Sequence, residues 1–173
     1  MTSRELLSHP LPKPTGASMA RHRSEQEVET PADFIAAVVD RFGPIAFDLA
    51  AIAKNAKSDH YFTPRMDGLK QDWSDLEGNL WLNPPFGSIA PWATKCRATT
   101  EERHRFSLIL MLVPASVGTR WFADSVHQRA LVLGLTGRVT FVGSKDPYPK
   151  DLMLVVYGTF RGFDTWDWRG HGR

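Results

Sequence analysis

The sequence contains a single cysteine, Cys96, among its 173 residues. One thiol excludes an intramolecular disulfide and a zinc site built from several cysteines, and it fits a reducing cytoplasm. No apolar run approaches the roughly 18 residues of a membrane span, and the N-terminus lacks the apolar core of a signal peptide. We therefore expect a cytoplasmic protein that does not engage a membrane. The net charge of +2 permits nucleic acid as a partner without requiring it.

The length suits one domain with a sizeable core. Residues 1–29 are rich in proline and charge without sustained periodicity, so we expect a flexible or loosely packed N-terminal arm followed by a single domain over residues 30–173. Strands alternate with helices in the remaining pattern, which predicts an α/β sheet with a parallel core and an antiparallel pair near the C-terminal end. The predicted strands are 45–51, 80–82, 106–113, 130–135, 138–142 and 152–157, with a further short strand at 61–63. The predicted helices are 31–42, 88–103 and a short one from residue 119.

The most informative stretch is Leu80-Trp81-Leu82 followed by Asn83-Pro84-Pro85-Phe86. Three apolar residues in succession indicate a strand covered on both faces, and two prolines then end it because neither has an N–H to donate. Pro84 is restricted by its own ring and by the ring of Pro85, so its carbonyl is a rigid acceptor. The side-chain amide of Asn83 supplies a second acceptor beside it. An alternative interpretation is a strand that leaves the sheet through a proline turn, with Phe86 as peripheral packing.

Asn83-Pro84-Pro85-Phe86 matches the [DNS]-P-P-[YFW] signature of S-adenosylmethionine-dependent amino-methyltransferases, which act on adenine N6, cytosine N4 or glutamine amides. Further short matches occur in the same order as in the phage-type DNA N6-adenine methyltransferase (Dam-like) family, which the chain resembles from about residue 30 to residue 157. They include Thr30-Pro31, Phe47-Asp48-Leu49-Ala50-Ala51, Asp67-Gly68-Leu69, Asp72-Trp73, Pro91-Trp92, Leu112-Val113-Pro114, Trp121-Phe122 and Gly137-Arg138-Val139-Thr140-Phe141. The resemblance implies a Rossmann-like methyltransferase fold, with a mostly parallel sheet and helices on both faces.

The resemblance also implies a binding site for S-adenosylmethionine. Thr30 and Pro31 would lie beside the methionine end, where Asp48 could bind the ammonium group and Ala50 would let the ligand approach the backbone. Without the resemblance, these residues have equally good structural explanations. Thr30 is a typical helix N-cap with Pro31 at the first helical position, and Asp48 can cap the turn after a strand. The glycine-rich loop that most methyltransferases carry after this strand is absent.

The adenine end of the cofactor would be held by an acid and an aromatic residue upstream of the central strand. Asp72 and Trp73 are the preferred pair, with the acid accepting from the adenine amine and the indole covering the ring. Asp67 is a second candidate for the acid, although Asp67-Gly68 is also typical of a turn.

For the reaction, the resemblance implies methyl transfer from S-adenosylmethionine to adenine N6 in double-stranded DNA, without a metal. Asn83 and the Pro84 carbonyl, held by Pro85, would orient the amine, and Phe86 would stack on a base flipped out of the helix. Arg138 and Lys145 are candidates for contacts with DNA. The four-residue signature is equally compatible with cytosine N4 or a protein glutamine amide as the substrate. Because the glycine loop is missing, a catalytically inactive DNA-binding relative is a further alternative.

Overall fold

A computed structural model describes residues 28–102 and 107–170, and this part of the chain is a mixed α/β structure. The predicted α/β class is confirmed. The strands are β1 (Ile45–Asp48), β2 (Asn79–Leu82), β3 (Ile109–Pro114), β4 (Leu131–Leu135), β5 (Leu152–Tyr157) and β6 (Gly162–Trp166). The helices are α1 (Ala32–Phe42), α2 (Ile89–Glu102) and α3 (Arg120–Ser125), with 3-10 turns at Gly68–Lys70 and Phe86–Ser88.

The six strands form one sheet in the order β1-β2-β3-β5-β4-β6. β1, β2 and β3 are parallel, β5 is antiparallel to both of its neighbours, and β4 and β6 are again parallel. β1, β2, β3, β4 and β6 therefore run in one direction and end at the same side of the sheet, which we call the carboxyl edge. Ligands of open α/β sheets bind at this edge.

Both faces of the sheet are covered, which explains why its central strands are apolar without alternation. Leu80 and Leu82 of β2 pack in a core cluster together with Trp92 of α2. Trp81 points to the other face and packs in a second cluster with Phe34 of α1. α1 thus lies on one face, and α2 and α3 lie on the other.

Three elements differ from the sequence-based prediction. Residues 61–63 do not form a strand, although Tyr61 pairs with Asp48 through an isolated bridge. Residues 138–142 do not form a strand. Gly137 has a positive φ of 81°, and the segment after it contributes buried Val139 and Phe141 to the core. In the part of the chain that the structure describes, this segment pairs through an isolated bridge between Val142 and Glu29. Conversely, the C-terminal tail forms strand β6 alongside β4.

The start of α1 also differs from the expected capping pattern. Pro31 occupies the N-cap position with extended backbone (φ −66°, ψ 147°), and the helix begins at Ala32. Thr30 therefore lies before the cap, and its side chain is free for the contact with Asn83 described below.

The expected N-terminal arm of residues 1–29 lies outside the described residues except for Val28 and Glu29. Among the described helices, none has the length and apolar character that crossing a membrane would require.

Candidate active site

Asn83 follows β2 directly at the carboxyl edge, and the next two residues interrupt the sheet. β2 ends at Leu82, Pro84 is buried, and the chain turns through Phe86–Ser88 into α2. Because β2 is held between two parallel neighbours, the position of Asn83 is set by the middle of the sheet rather than by a loose loop. The predicted strand and its proline exit are confirmed.

The Asn83 amide is oriented by two hydrogen bonds from its nitrogen. Nδ2 donates to the backbone carbonyl of Val28 and to Oγ1 of Thr30, both at 3.3 Å. A carbonyl oxygen can only accept, so the amide nitrogen must face Val28, and the amide oxygen occupies the other arm of the group as an acceptor. Thr30 is 1% exposed, so this orientation is fixed inside the protein.

Phe86 stands on the other side of the two prolines in a cluster of three aromatic rings. Its ring contacts those of Tyr148 and Phe141 edge-on, with centroid separations of 5.4 Å and 6.1 Å, and the latter two rings lie 5.7 Å apart. Phe86 is half-buried, whereas Phe141 is buried. The cluster therefore fixes the plane of the Phe86 ring while leaving part of it accessible.

Asp48 ends β1, the strand next to β2, and the residue is 2% exposed. Its oxygens accept backbone N–H bonds from Ala50 at 3.2 Å and from Lys57 at 3.0 Å, which hold the segment that follows the strand. Burial raises the pKa of Asp48 to about 6, opposed by these two N–H bonds and by the positive charge of Lys57. The result is a desolvated acid at the carboxyl edge.

A cleft opens at the same edge between the segment after β1 and the turn that precedes Gly68. Ala50 and Asp67, which were both expected to contact the cofactor, line it together. Asp67 has a left-handed backbone with φ 56°, and its Oδ2 lies 3.2 Å from Nζ of Lys70. At Gly68 a Cβ would overlap the carbonyl oxygen of Leu49, so only glycine fits there. The other lining residues are Leu49, Ala51, Ile52, Phe62, Thr63, Pro64 and Trp92.

Asp72 and Trp73 do not line this cleft. Asp72 is exposed, and hydrogen bonds from Ser74, including one from its backbone N–H at 2.9 Å, lower the pKa of its carboxyl group. Trp73 is 1% exposed, stacks on Trp92 at 6.2 Å and donates its Nε1 hydrogen to the Gly68 carbonyl at 2.9 Å. Trp73 thus supports the wall of the cleft from behind Trp92.

Arg138 and Lys145 are both exposed on the segment that follows β4. The Nε atom of Arg138 lies 3.8 Å from the Asp151 carboxylate. Because β4 ends at the carboxyl edge, Arg138 lies on the same side of the sheet as Asn83.

Several contributors to the site were not predicted. Val28 acts through its main-chain carbonyl, which leaves no mark in the sequence. Tyr148 is far from Phe86 in sequence and belongs to no periodic element. Gly68 and Trp92 also line the cleft, and their presence in the motifs Asp67-Gly68-Leu69 and Pro91-Trp92 was the signal that could have identified them. In the two described ranges, no group of three or more histidine, cysteine or acidic side chains could hold a metal ion.

Comparison with known proteins identifies the family of the chain. The sequence profile of the DNA N-6-adenine-methyltransferase (Dam) family matches residues 18–161. A protein of Escherichia phage T1 named DNA N-6-adenine-methyltransferase is 26% identical over 111 residues, which are 64% of this chain. The matched region covers 45% of that relative, so the chain spans less than half of its length. On the extent of the profile match, the chain belongs to the DNA N-6-adenine-methyltransferase (Dam) family.

Proposed function

We propose that the protein transfers a methyl group from S-adenosylmethionine to N6 of adenine in double-stranded DNA. The observation that carries the proposal is the oriented amide of Asn83. Its nitrogen donates to Val28 and Thr30, so its oxygen, on the other arm of the amide, is an acceptor one residue before Pro84 in the chain. The name of the phage T1 relative refers to the same substrate atom.

The two acceptors suit an exocyclic amine because such a group has two hydrogens. When the Asn83 and Pro84 oxygens accept them, the nitrogen lone pair is drawn out of conjugation with the base. The amine nitrogen can then attack the methyl carbon: the N–C bond forms as the C–S bond breaks, and the nitrogen releases one proton to solvent. Bound S-adenosylmethionine supplies a methyl group activated by a positively charged sulfur.

The residues of the carboxyl edge fit this cofactor, and we assign a Rossmann-like mode of binding to it. The buried carboxylate of Asp48 suits the cofactor's ammonium group, beside Thr30 and Pro31, because a cation offsets the desolvation of the acid. The cleft combines apolar walls at Phe62 and Trp92 with the carboxylate of Asp67, which suits a flat adenine ring with an amine. We therefore assign the adenine end to Asp67 rather than to Asp72.

Phe86 provides a stacking surface for the target base, held in place by Phe141 and Tyr148. An adenine stacked within a duplex cannot reach Asn83, so the base must be flipped out, at a cost of a few kcal/mol for unstacking and unpairing. Stacking on Phe86, the amine hydrogen bonds and contacts with phosphates offset this cost.

Asn83→Ala tests the assigned role. We expect transfer of labelled methyl from S-adenosylmethionine to duplex DNA to fall by roughly two orders of magnitude, as when a preorganised catalytic hydrogen-bonding group is removed. The dissociation constant for the cofactor, measured by calorimetry, should change little, because the cleft does not include Asn83.

The matched control is Asn79→Ala at the opposite end of β2, where the Asn79 side chain binds the Phe42 carbonyl. This variant should retain transfer per folded molecule. If Asn83→Ala transferred methyl groups at the wild-type rate, the catalytic role of Asn83 would be rejected. If neither the wild type nor the variants bound the cofactor, the result would favour an inactive DNA-binding relative.

A further inference from the structure

The C-terminal tail brings a second arginine to the carboxyl edge. β6 is parallel to β4, so the residues after β6 emerge beside the residues after β4. There the Nη2 atom of Arg169 donates to the backbone carbonyl of Arg138 at 2.9 Å. Arg169 lies beyond residues 18–161, so the family profile says nothing about it.

The Arg169 guanidinium is held by neutral groups. Its Cζ lies 4.2 Å from the centroid of the Trp168 ring, and Trp168 is itself anchored in the core by an edge contact with Phe34 at 5.1 Å. A Cβ at Gly137 would lie 2.7 Å from Nη1 of Arg169, so the glycine leaves the space that the guanidinium occupies.

Within residues 28–102 and 107–170, no carboxylate forms an ion pair with the Arg169 guanidinium, and Asp167 accepts only the backbone N–H of Arg169, at 3.3 Å. A π face and a carbonyl do not neutralise a guanidinium, and the bond to Arg138 uses one of its five N–H donors. The side chain is also preorganised, because its stacked plane loses less conformational entropy when it binds a ligand. Arg138, by contrast, faces the Asp151 carboxylate at 3.8 Å.

We propose that Arg169, held on Trp168 beside Gly137 and Arg138, is a contact for a backbone phosphate of duplex DNA. The proposal rests on the proposed function for the identity of the partner. β6 is four strand positions from β2, which at about 4.8 Å per strand places the tail roughly 19 Å along the edge from Asn83. A DNA strand carries one charge per about 3.4 Å of axis, so a duplex with one base at Asn83 has phosphates within this span.

Arg169→Ala tests the contact by the salt dependence of binding to a duplex oligonucleotide. This electrostatic contribution does not depend on sequence, so the recognition site need not be known. We expect affinity to fall on the order of fivefold and the slope of log K against log salt, between about 50 and 200 mM, to decrease in magnitude by about 0.9. Arg169→Lys should restore the slope, because it keeps the charge.

Arg161→Ala is the matched control, since Arg161 precedes the same strand and so lies at the opposite side of the sheet. It should keep the wild-type slope. If Arg169 had only a structural role, Arg169→Ala would lower the melting temperature and weaken cofactor binding without changing the salt-dependence slope. That result would overturn the proposal.

An unchanged slope and affinity in Arg169→Ala would also overturn it, as would a wild-type protein that does not bind duplex DNA. Failure of the proposed function is distinguishable: the wild type would then bind DNA with the expected dependence on Arg169 but transfer no methyl group to adenine.

Discussion

Asp48 makes the stability of the protein depend on pH in a direction that can be calculated. Its pKa is about 6 in the folded protein and 3.8 without the protein environment, so the folded state binds the proton more tightly. The corresponding stabilisation is present below about pH 3.8 and is lost as the pH rises through about 6. A shift of about two pKa units corresponds to about 3 kcal/mol.

Asp48→Asn removes this ionisation while keeping the shape of the side chain. An asparagine offers one acceptor oxygen where the carboxylate offers two, so one of the N–H bonds from Ala50 and Lys57 is lost, at about 1–3 kcal/mol. At neutral pH this loss is offset by removal of the buried charge, and the two proteins should have similar free energies of unfolding. At acid pH the wild type should be the more stable by up to about 3 kcal/mol.

Urea titrations followed by tryptophan fluorescence, at a series of pH values from about 4 to 7, measure this difference. Contributions from all other carboxylates cancel between the two proteins. The exposed Asp59 supplies a control, because Asp59→Asn removes a carboxylate that is not buried. A free-energy difference between wild type and Asp48→Asn that stays constant over this range would refute the inferred burial of a charged Asp48.

Three further predictions concern the cofactor and the orientation of Asn83. Affinity for S-adenosylmethionine should increase as the pH rises through about 6, when Asp48 ionises, and calorimetry on Asp48→Asn should give a flatter profile; identical profiles would contradict the assignment of the ammonium group to Asp48. Thr30→Val removes one acceptor for the Asn83 amide, so methyl transfer should slow by roughly fivefold, equivalent to about 1 kcal/mol, while Thr30→Ser retains the rate; equal loss in both variants would argue against the hydrogen bond. Trp73→Phe removes the bond to the Gly68 carbonyl and should lower the free energy of unfolding by roughly 1–3 kcal/mol with little change in cofactor affinity, and a large loss of affinity at unchanged stability would place the indole on the cofactor instead.

The central strand and its exit could be predicted because their signals are local. Leu80, Trp81 and Leu82 are buried on alternate faces of a covered sheet, and Pro84 ends the strand for reasons of its own covalent structure. The meeting of Asp48 and Asn83 at the carboxyl edge could also be predicted, because parallel strands bring the residues that end them to the same side of the sheet.

Elements whose state depends on distant packing were not predictable in this way. Val139 and Phe141 give the alternation of a strand, but the segment that they occupy is anchored by its side chains rather than by a ladder. β6 shows the opposite case, because four of its five residues are exposed and its pairing with β4 leaves no hydrophobic pattern. In the sequence, Trp73 beside Asp72 is as compatible with a ligand contact as with a place in the core. Its packing on Trp92 in the structure places it in the core.

The most direct test of the central claim is the identity of the methylated nucleoside. Purified protein is incubated with S-adenosylmethionine and unmethylated duplex DNA, the DNA is digested to nucleosides, and these are analysed by mass spectrometry, with Asn83→Ala as the control. The account predicts N6-methyl-deoxyadenosine with the wild type and almost none with the variant. N4-methyl-deoxycytidine, or no methylated nucleoside from a wild-type protein that binds both ligands, would contradict it.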